Sequence, residues 1–161
     1  MWFESTPLVA DYPVQPLRRG RWHEWKRETL IRATFQLREF ALGLAPAPLK
    51  LEIDPYAKFI DVHGRMHWKI RGATIPHESV LGVTGTYWQS TRTELNFFGN
   101  TAITRTELED RSGDSIRHII WSVTWRGGRA WTVLSSHASL AETTVWHGED
   151  DDLQFAGEIQ E

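Results

Sequence analysis

The apolar period of this chain changes once, from three-to-four before about residue 57 to two after it, and that switch narrows the folds it can adopt. From Arg21 to about Gly43 there is no proline, and Trp22, Trp25, Leu30, Ala33, Thr34, Leu37, Phe40 and Ala41 recur at spacings of three and four. This predicts one long amphipathic helix, stopped by Gly43 and then by Pro46 and Pro48. A short segment, Leu49–Ala57, follows, with Asp54-Pro55 as a turn. Beyond it, β-rich runs are divided by four glycine-containing pairs: His63-Gly64, Gly99-Asn100, Ser112-Gly113 and Gly127-Gly128. Such pairs suit hairpin turns that need positive φ. Ile75–Trp88 reads equally as a short helix or a strand.

With 161 residues the chain is expected to form one domain, residues 21–146. Pro7, Pro13 and Pro16 predict an extended arm over 1–20 that packs through Trp2, Phe3 and Tyr12. Residues 147–161, with Glu149-Asp150-Asp151-Asp152, read as an acidic, solvated tail. The absence of cysteine excludes disulfides, thiolate nucleophiles and Cys-ligated metal sites. A net charge of −3 provides no general attraction for nucleic acid or anionic membrane. No apolar run reaches membrane-span length and Met1–Gly20 lacks signal-peptide character, so a cytoplasmic protein with no membrane contact is expected.

Nine of the 19 aromatic residues are Trp, and they either fill a core or line a cavity for a flat apolar ligand. Two-residue loops would fix which, because residues whose numbers sum to a constant then lie opposite each other. A sum of 199 around Gly99-Asn100 sets Glu94 against Arg105 and Arg92 against Glu107, with Leu95, Phe97, Ala102, Thr104 and Thr106 on the inner face. A sum of 225 around Ser112-Gly113 adds Ile119 opposite Thr106 and Trp121 opposite Thr104. A sum of 255 around Gly127-Gly128 joins Leu134 to Trp121, Thr132 to Val123 and Ala130 to Trp125. His118 then faces His137 on the outer side, an interface or solvent pair without a third metal ligand.

Around His63-Gly64 a sum of 127 puts Phe59, Asp61, Met66, Trp68 and Ile70 on one face, and Ile60, Val62, Arg65 and His67 on the other. His63 and His67, about 13 Å apart on a strand, are not expected to share a metal. Asp61 is left as a carboxylate among apolar and aromatic neighbours. Burial would raise its pKa and make it a general acid or base near neutrality; the alternative is a turn cap or an arginine partner at the sheet edge.

The runs Phe97-Phe98-Gly99-Asn100-Thr101-Ala102-Ile103, Ile119-Ile120-Trp121-Ser122-Val123-Thr124-Trp125 and Gly128-Arg129-Ala130-Trp131, continuing to His137-Ala138-Ser139, resemble the C-terminal half of the nuclear-transport-factor-2-like (NTF2-like) superfamily. They are most similar to its SnoaL-like and ketosteroid-isomerase-like branch. Tyr56–Gly64 is similar to that family's short strand carrying a pocket acid, although its Tyr/Asp pair has no residue-by-residue match here. The resemblance implies an α+β, cone-shaped (cystatin-like) fold, a long N-terminal helix on a curved antiparallel sheet. An up-and-down β-barrel is the alternative.

The resemblance also implies a cofactor-independent cyclase, dehydratase or isomerase working by acid/base catalysis on a flat apolar polyketide or terpenoid, with no metal. Asp61 would move the proton, with Tyr56 orienting oxygen and His77 as a second proton carrier. Trp68, Tyr87, Trp88, Phe97, Thr104, Trp121, Trp125 and Ser136 would line the pocket. A homodimer is expected through the outer face, where Ile103, Ile120, Trp131 and Val133 would lie beside His118 and His137. The competing function is a non-catalytic ligand-binding or oligomerisation domain of the same fold.

Overall fold

A computed structural model describes residues 15–84, 87–111 and 114–145; of the expected extended arm over 1–20, residues 1–14 lie outside the described residues and 15–20 are helical, and the tail from 147 also lies outside them. Helix α1 (Gln15–Ala41) is followed by β1 (Leu51–Ile60), β2 (Met66–His67), β3 (Gln89–Phe98), β4 (Thr101–Asp110), β5 (Ser115–Arg126) and β6 (Trp131–Val145). The helix begins six residues ahead of Arg21. Pro16 sits in its first turn, where a missing N–H costs nothing. It ends in a Schellman motif: Gly43, at φ 80°, donates to the Phe40 carbonyl and Leu44 to that of Glu39.

The strands form one open mixed sheet in the order β2-β1-β6-β5-β4-β3, with β1 parallel to β6 and every other pair antiparallel. Both edges are unpaired among the described residues, which sets the barrel alternative aside. Buried Leu30, Ala33, Leu37 and Phe40 of α1 share one core with Phe59, Trp121, Val123, Trp125 and Val133 of the sheet. The fold is therefore α+β, one helix on a six-stranded sheet, and the helix runs from the β3–β4 and β5–β6 turns toward the opposite sheet end.

Register follows the turn chemistry. Gly99, at φ 60°, closes a two-residue turn, and β3–β4 pairs Phe97 with Ala102, Leu95 with Thr104 and Glu94 with Arg105, the expected sum of 199. Between β4 and β5 the sum is 227 rather than 225, so Thr106 faces Trp121 and Thr104 faces Val123. A shift of two leaves every side chain on its expected face.

Between β5 and β6 a bulge changes more. Val123 opposes Ser136 and Thr124 opposes Ser135, but Trp125 opposes Val133, leaving Leu134 unpaired. One extra residue inverts the alternation. Val133 and Trp131 therefore point into the core, not onto the outer face assigned for dimerisation, and Thr132 and Ala130 are not the partners of Val123 and Trp125. The expected His118–His137 pair is not formed, because His118 opposes Glu142 and His137 opposes Ser122.

The β1–β2 hairpin is one residue out of its expected register, pairing Phe59 with His67 and Ile60 with Met66. Its loop is a turn in which Gly64 (φ 78°) donates to the Asp61 carbonyl while Asp61 N–H donates to the Arg65 carbonyl. This three-residue loop replaces the assumed two. The slip turns His67 toward Asp61 and leaves Met66 and Trp68 exposed, the reverse of the expected faces. Asp54-Pro55 lies inside β1 as an irregularity, where Asp54 Oδ1 accepts from Tyr56 N–H. The ambiguous stretch after Ile75 is neither helix nor strand over Ser79–Val83. It closes the end of α1, with Val80 N–H and Ser79 Oγ both donating to the Ala41 carbonyl.

Candidate functional site

Asp61 lies at the end of β1 with its side chain sealed from solvent. Oδ1 accepts from the backbone N–H groups of His63 (2.8 Å) and Arg65 (3.0 Å), and Oδ2 from Arg65 Nε (3.1 Å) and His67 Nε2 (2.9 Å). Burial alone would push this carboxyl up, but the hydrogen bonds from His67, Arg65 and His63 outweigh it and hold the group at about 2. The expected upward shift is thus reversed. A carboxylate with four donors, ionised at neutral pH, acts as a tie. It fixes the β1–β2 loop and packs against Gly82, whose φ of 81° admits no ordinary side chain and whose Cβ would stand 3.0 Å from Asp61 Cβ and Cγ.

The other residues expected to act in catalysis, Tyr56 to orient oxygen and His77 to carry a proton, lie apart from it. Tyr56 is 84% exposed on β1 and His77 is exposed in the loop before Ser79; the partners of Asp61 are His63, Arg65 and His67 instead. Among the expected wall residues, Trp68 and Tyr87 are exposed, Phe97 is half-buried, and Trp88 is buried under the Arg117 guanidinium, 4.8 Å from its ring centroid.

Four further wall residues meet pairwise inside the core. Trp121 Nε1 donates to Ser136 Oγ (2.8 Å) and Trp125 Nε1 to Thr104 Oγ1 (3.0 Å). Both indoles are fully buried, so they fill the helix–sheet interior. Each hydroxyl on the sheet satisfies an indole that would otherwise carry an orphaned donor. Arg38, unremarked in the periodicity of α1, joins the same interior: it is buried over the Phe35 ring, and Nη1 donates to Ser90 Oγ at 3.1 Å. Its burial pushes the guanidinium pKa down, partly offset by Glu39.

A cleft of about 690 Å³ opens instead at the other end of the sheet, between α1, the residues leading into β1, and the β5–β6 turn. Trp25, 49% exposed, and Trp131, 8% exposed, form aromatic walls. Trp131 is fixed by its Nε1, which donates to Thr29 Oγ1 at 3.1 Å. The β5–β6 turn is seated by Gly127, which donates to the Asn100 carbonyl at 2.7 Å; a Cβ there would meet Asn100 Oδ1 at 2.9 Å and the Trp131 ring at 3.3 Å. Lys26, Arg32, Lys50 and Arg129 complete the polar rim, and among the described residues no Asp or Glu lines the cleft.

Sequence reasoning placed the aromatic pocket inside the sheet and missed this cleft. The available signal was Trp25: its spacing put it on the apolar stripe, yet Lys26, Arg32 and the glycine pair before Arg129 mark the neighbouring surface as cationic. Asp61 lies ten residues along β1 from cleft residue Leu51, on the order of 30 Å. No helix among the described residues is long and apolar enough to cross a membrane. No family model, curated protein or solved structure matches the chain.

Proposed function

We propose that this chain is a ligand-binding domain of NTF2-like architecture that holds a small aromatic metabolite in the Trp25–Trp131 cleft without transforming it. The observation that carries this reading is the composition of the cleft: a half-exposed indole and a hydrogen-bonded one in a single lining, framed by three chain segments. Its size suits a drug-sized molecule, and among the described residues its lining carries no carboxylate or imidazole to move a proton. The order of one long helix before a six-stranded sheet is compatible with the NTF2-like assignment.

The test is titration with N-phenyl-1-naphthylamine, a neutral planar fluorophore, reading energy transfer from Trp. Saturable binding weakened several-fold in Trp25→Ala is expected; no saturable binding, or binding indifferent to Trp25→Ala, overturns the reading.

A catalytic reading retains one observation, the 2.9 Å contact by which Asp61 orients the imidazole of His67. Turnover of flat polycyclic ketones that is lost in both Asp61→Asn and His67→Gln would favour it. Homodimerisation through the outer face draws support from Ile103, which remains exposed there, and would suit a cytoplasmic metabolite carrier. Monomeric sedimentation at tens of micromolar would count against the dimer.

A further inference from the structure

What sets the cations of the cleft apart is that they gather in one concavity; Lys58, Lys69 and Arg71, which also lack a carboxylate within 4.0 Å among the described residues, do not line it. Arg65, Arg92, Arg105, Arg111, Arg117 and Arg126 each stand within 4.0 Å of a carboxylate. Arg32, Lys50 and Arg129 have no such partner among the described residues, although the chain as a whole carries a net charge of −3. The carboxylates nearest in sequence to Lys50 are engaged elsewhere: Glu52 accepts from Thr132 Oγ1, and Asp54 pairs with Arg126. Lys26, the fourth cation, donates to the Gly99 carbonyl at 3.5 Å and lies 5.5 Å from the Phe97 ring centroid, so its ammonium is partly committed.

Three uncompensated cations thus converge from three separate elements, the helix, the segment before β1 and the β5–β6 turn, on one cleft walled by two indoles. Like charges gathered without counter-charges repel one another, an arrangement that an anion entering the cleft relieves. The surrounding frame is already built, because Trp131 is tied to Thr29 and Gly127 to Asn100. Ordering costs on binding are correspondingly small.

We infer that the ligand of this cleft is an organic anion: a planar aromatic body held by Trp25 and Trp131, bearing a carboxylate, sulfonate or phosphate that Arg32, Lys50 and Arg129 neutralise. This rests on the ligand-binding reading above and adds the charge class of the ligand. The aromatic walls alone would accept neutral and anionic molecules equally; the cations supply discrimination between them.

The experiment compares two probes of the same aromatic frame on the full-length chain: 1-anilinonaphthalene-8-sulfonate and its uncharged counterpart N-phenyl-1-naphthylamine. At low salt the sulfonate is expected to bind about tenfold more tightly, and that preference to shrink severalfold in 0.5 M salt. Lys50→Gln combined with Arg129→Gln is expected to bring the two affinities together by weakening the sulfonate alone. Arg32→Gln, tested separately, should move them in the same direction. Equal affinities in the wild type, or a sulfonate preference that survives these substitutions, overturns the assignment of charge while leaving an aromatic cleft intact. Failure of both probes to respond to Trp25→Ala overturns the cleft as a ligand site altogether.

Discussion

Trp121 and Ser136 are joined by a fully buried hydrogen bond, indole N–H to hydroxyl oxygen at 2.8 Å, across the β5–β6 ladder. Ser136→Ala removes the acceptor and strands the donor, so it should cost about 1–3 kcal/mol in urea denaturation. Thr104→Val should cost a similar amount through Trp125. Adding Trp121→Phe to Ser136→Ala removes the stranded donor, so the double variant should lose less than the separate losses added together. Full additivity would show that the hydroxyl acts through something other than the indole.

Acid should act through Asp61. Its folded pKa of about 2 lies below the ordinary 3.8, so its contribution is present in full above about pH 4 and is lost as pH falls toward 2. The shift corresponds to roughly 2 kcal/mol. Asp61→Asn should be less stable at pH 7 and should show a flatter decline of stability between pH 4 and 2. An unchanged slope in that window would place the acid sensitivity elsewhere.

Two glycines at nearly the same φ separate strain from collision. Gly43 (φ 80°) would place its missing Cβ in ordinary van der Waals contact, with nothing nearer than 3.8 Å, so Gly43→Ala should cost about 1 kcal/mol from backbone conformation alone. Gly82 (φ 81°) meets Asp61 and His63 at 3.0–3.1 Å, and Gly82→Ala should cost at least about 2 kcal/mol. Equal losses would mean that the Asp61 loop gives way freely.

Deleting Leu134 would erase the bulge and restore strict alternation along β6. Val133 would still oppose Trp125 and Ser135 would still oppose Thr124, so Trp131, Val133, Ser136 and Ala138 all keep their faces. The expected result is a retained cooperative thermal transition. Loss of that transition would mean that the bulge itself, and not only the faces on either side of it, is needed to seat β6.

Arg38 is a buried cation with one hydrogen bond to Ser90, an ion pair to Glu39 at 3.6 Å, and no partner for Nε. Replacing it by an apolar side chain of similar length removes a desolvated charge, so Arg38→Met should be neutral or stabilising by about 1 kcal/mol or more. A marked loss of stability would show that the guanidinium is better compensated than these contacts indicate.

The sequence was legible wherever a turn had the assumed length. Gly99-Asn100 is a true two-residue turn, and the pairing of Glu94 with Arg105 and Leu95 with Thr104 followed from counting alone. The helix was legible because its apolar spacing and the Gly43 stop are local signals, whereas its start was obscured by treating Pro16 as a breaker and not as a first-turn residue. Faces failed where a single residue intervened: the extra residue in the Asp61–Arg65 loop and the unpaired Leu134. Neither leaves a mark in composition, since any residue can occupy a bulge. Asp61 stands out in the sequence as a carboxylate among apolar neighbours, but the sign of its pKa shift depends on His67, which the one-residue slip brings to it. The cleft was illegible because its walls come from segments about a hundred residues apart.

That separation also bears on the order of folding. Trp131 reaches Thr29 across 102 residues, and Leu51 pairs in parallel with Trp131 across the whole β2–β5 meander. Contacts of such long range close late, because most of the chain must already be in register before they can form. A nascent chain emerging from the ribosome has no cleft until β6 has been synthesised and seated against β1. A ligand cannot guide the early steps of folding and can only recognise the finished product. Binding would therefore report on the completed molecule, and fragments ending before Trp131 should lack it altogether, however well their hairpins form.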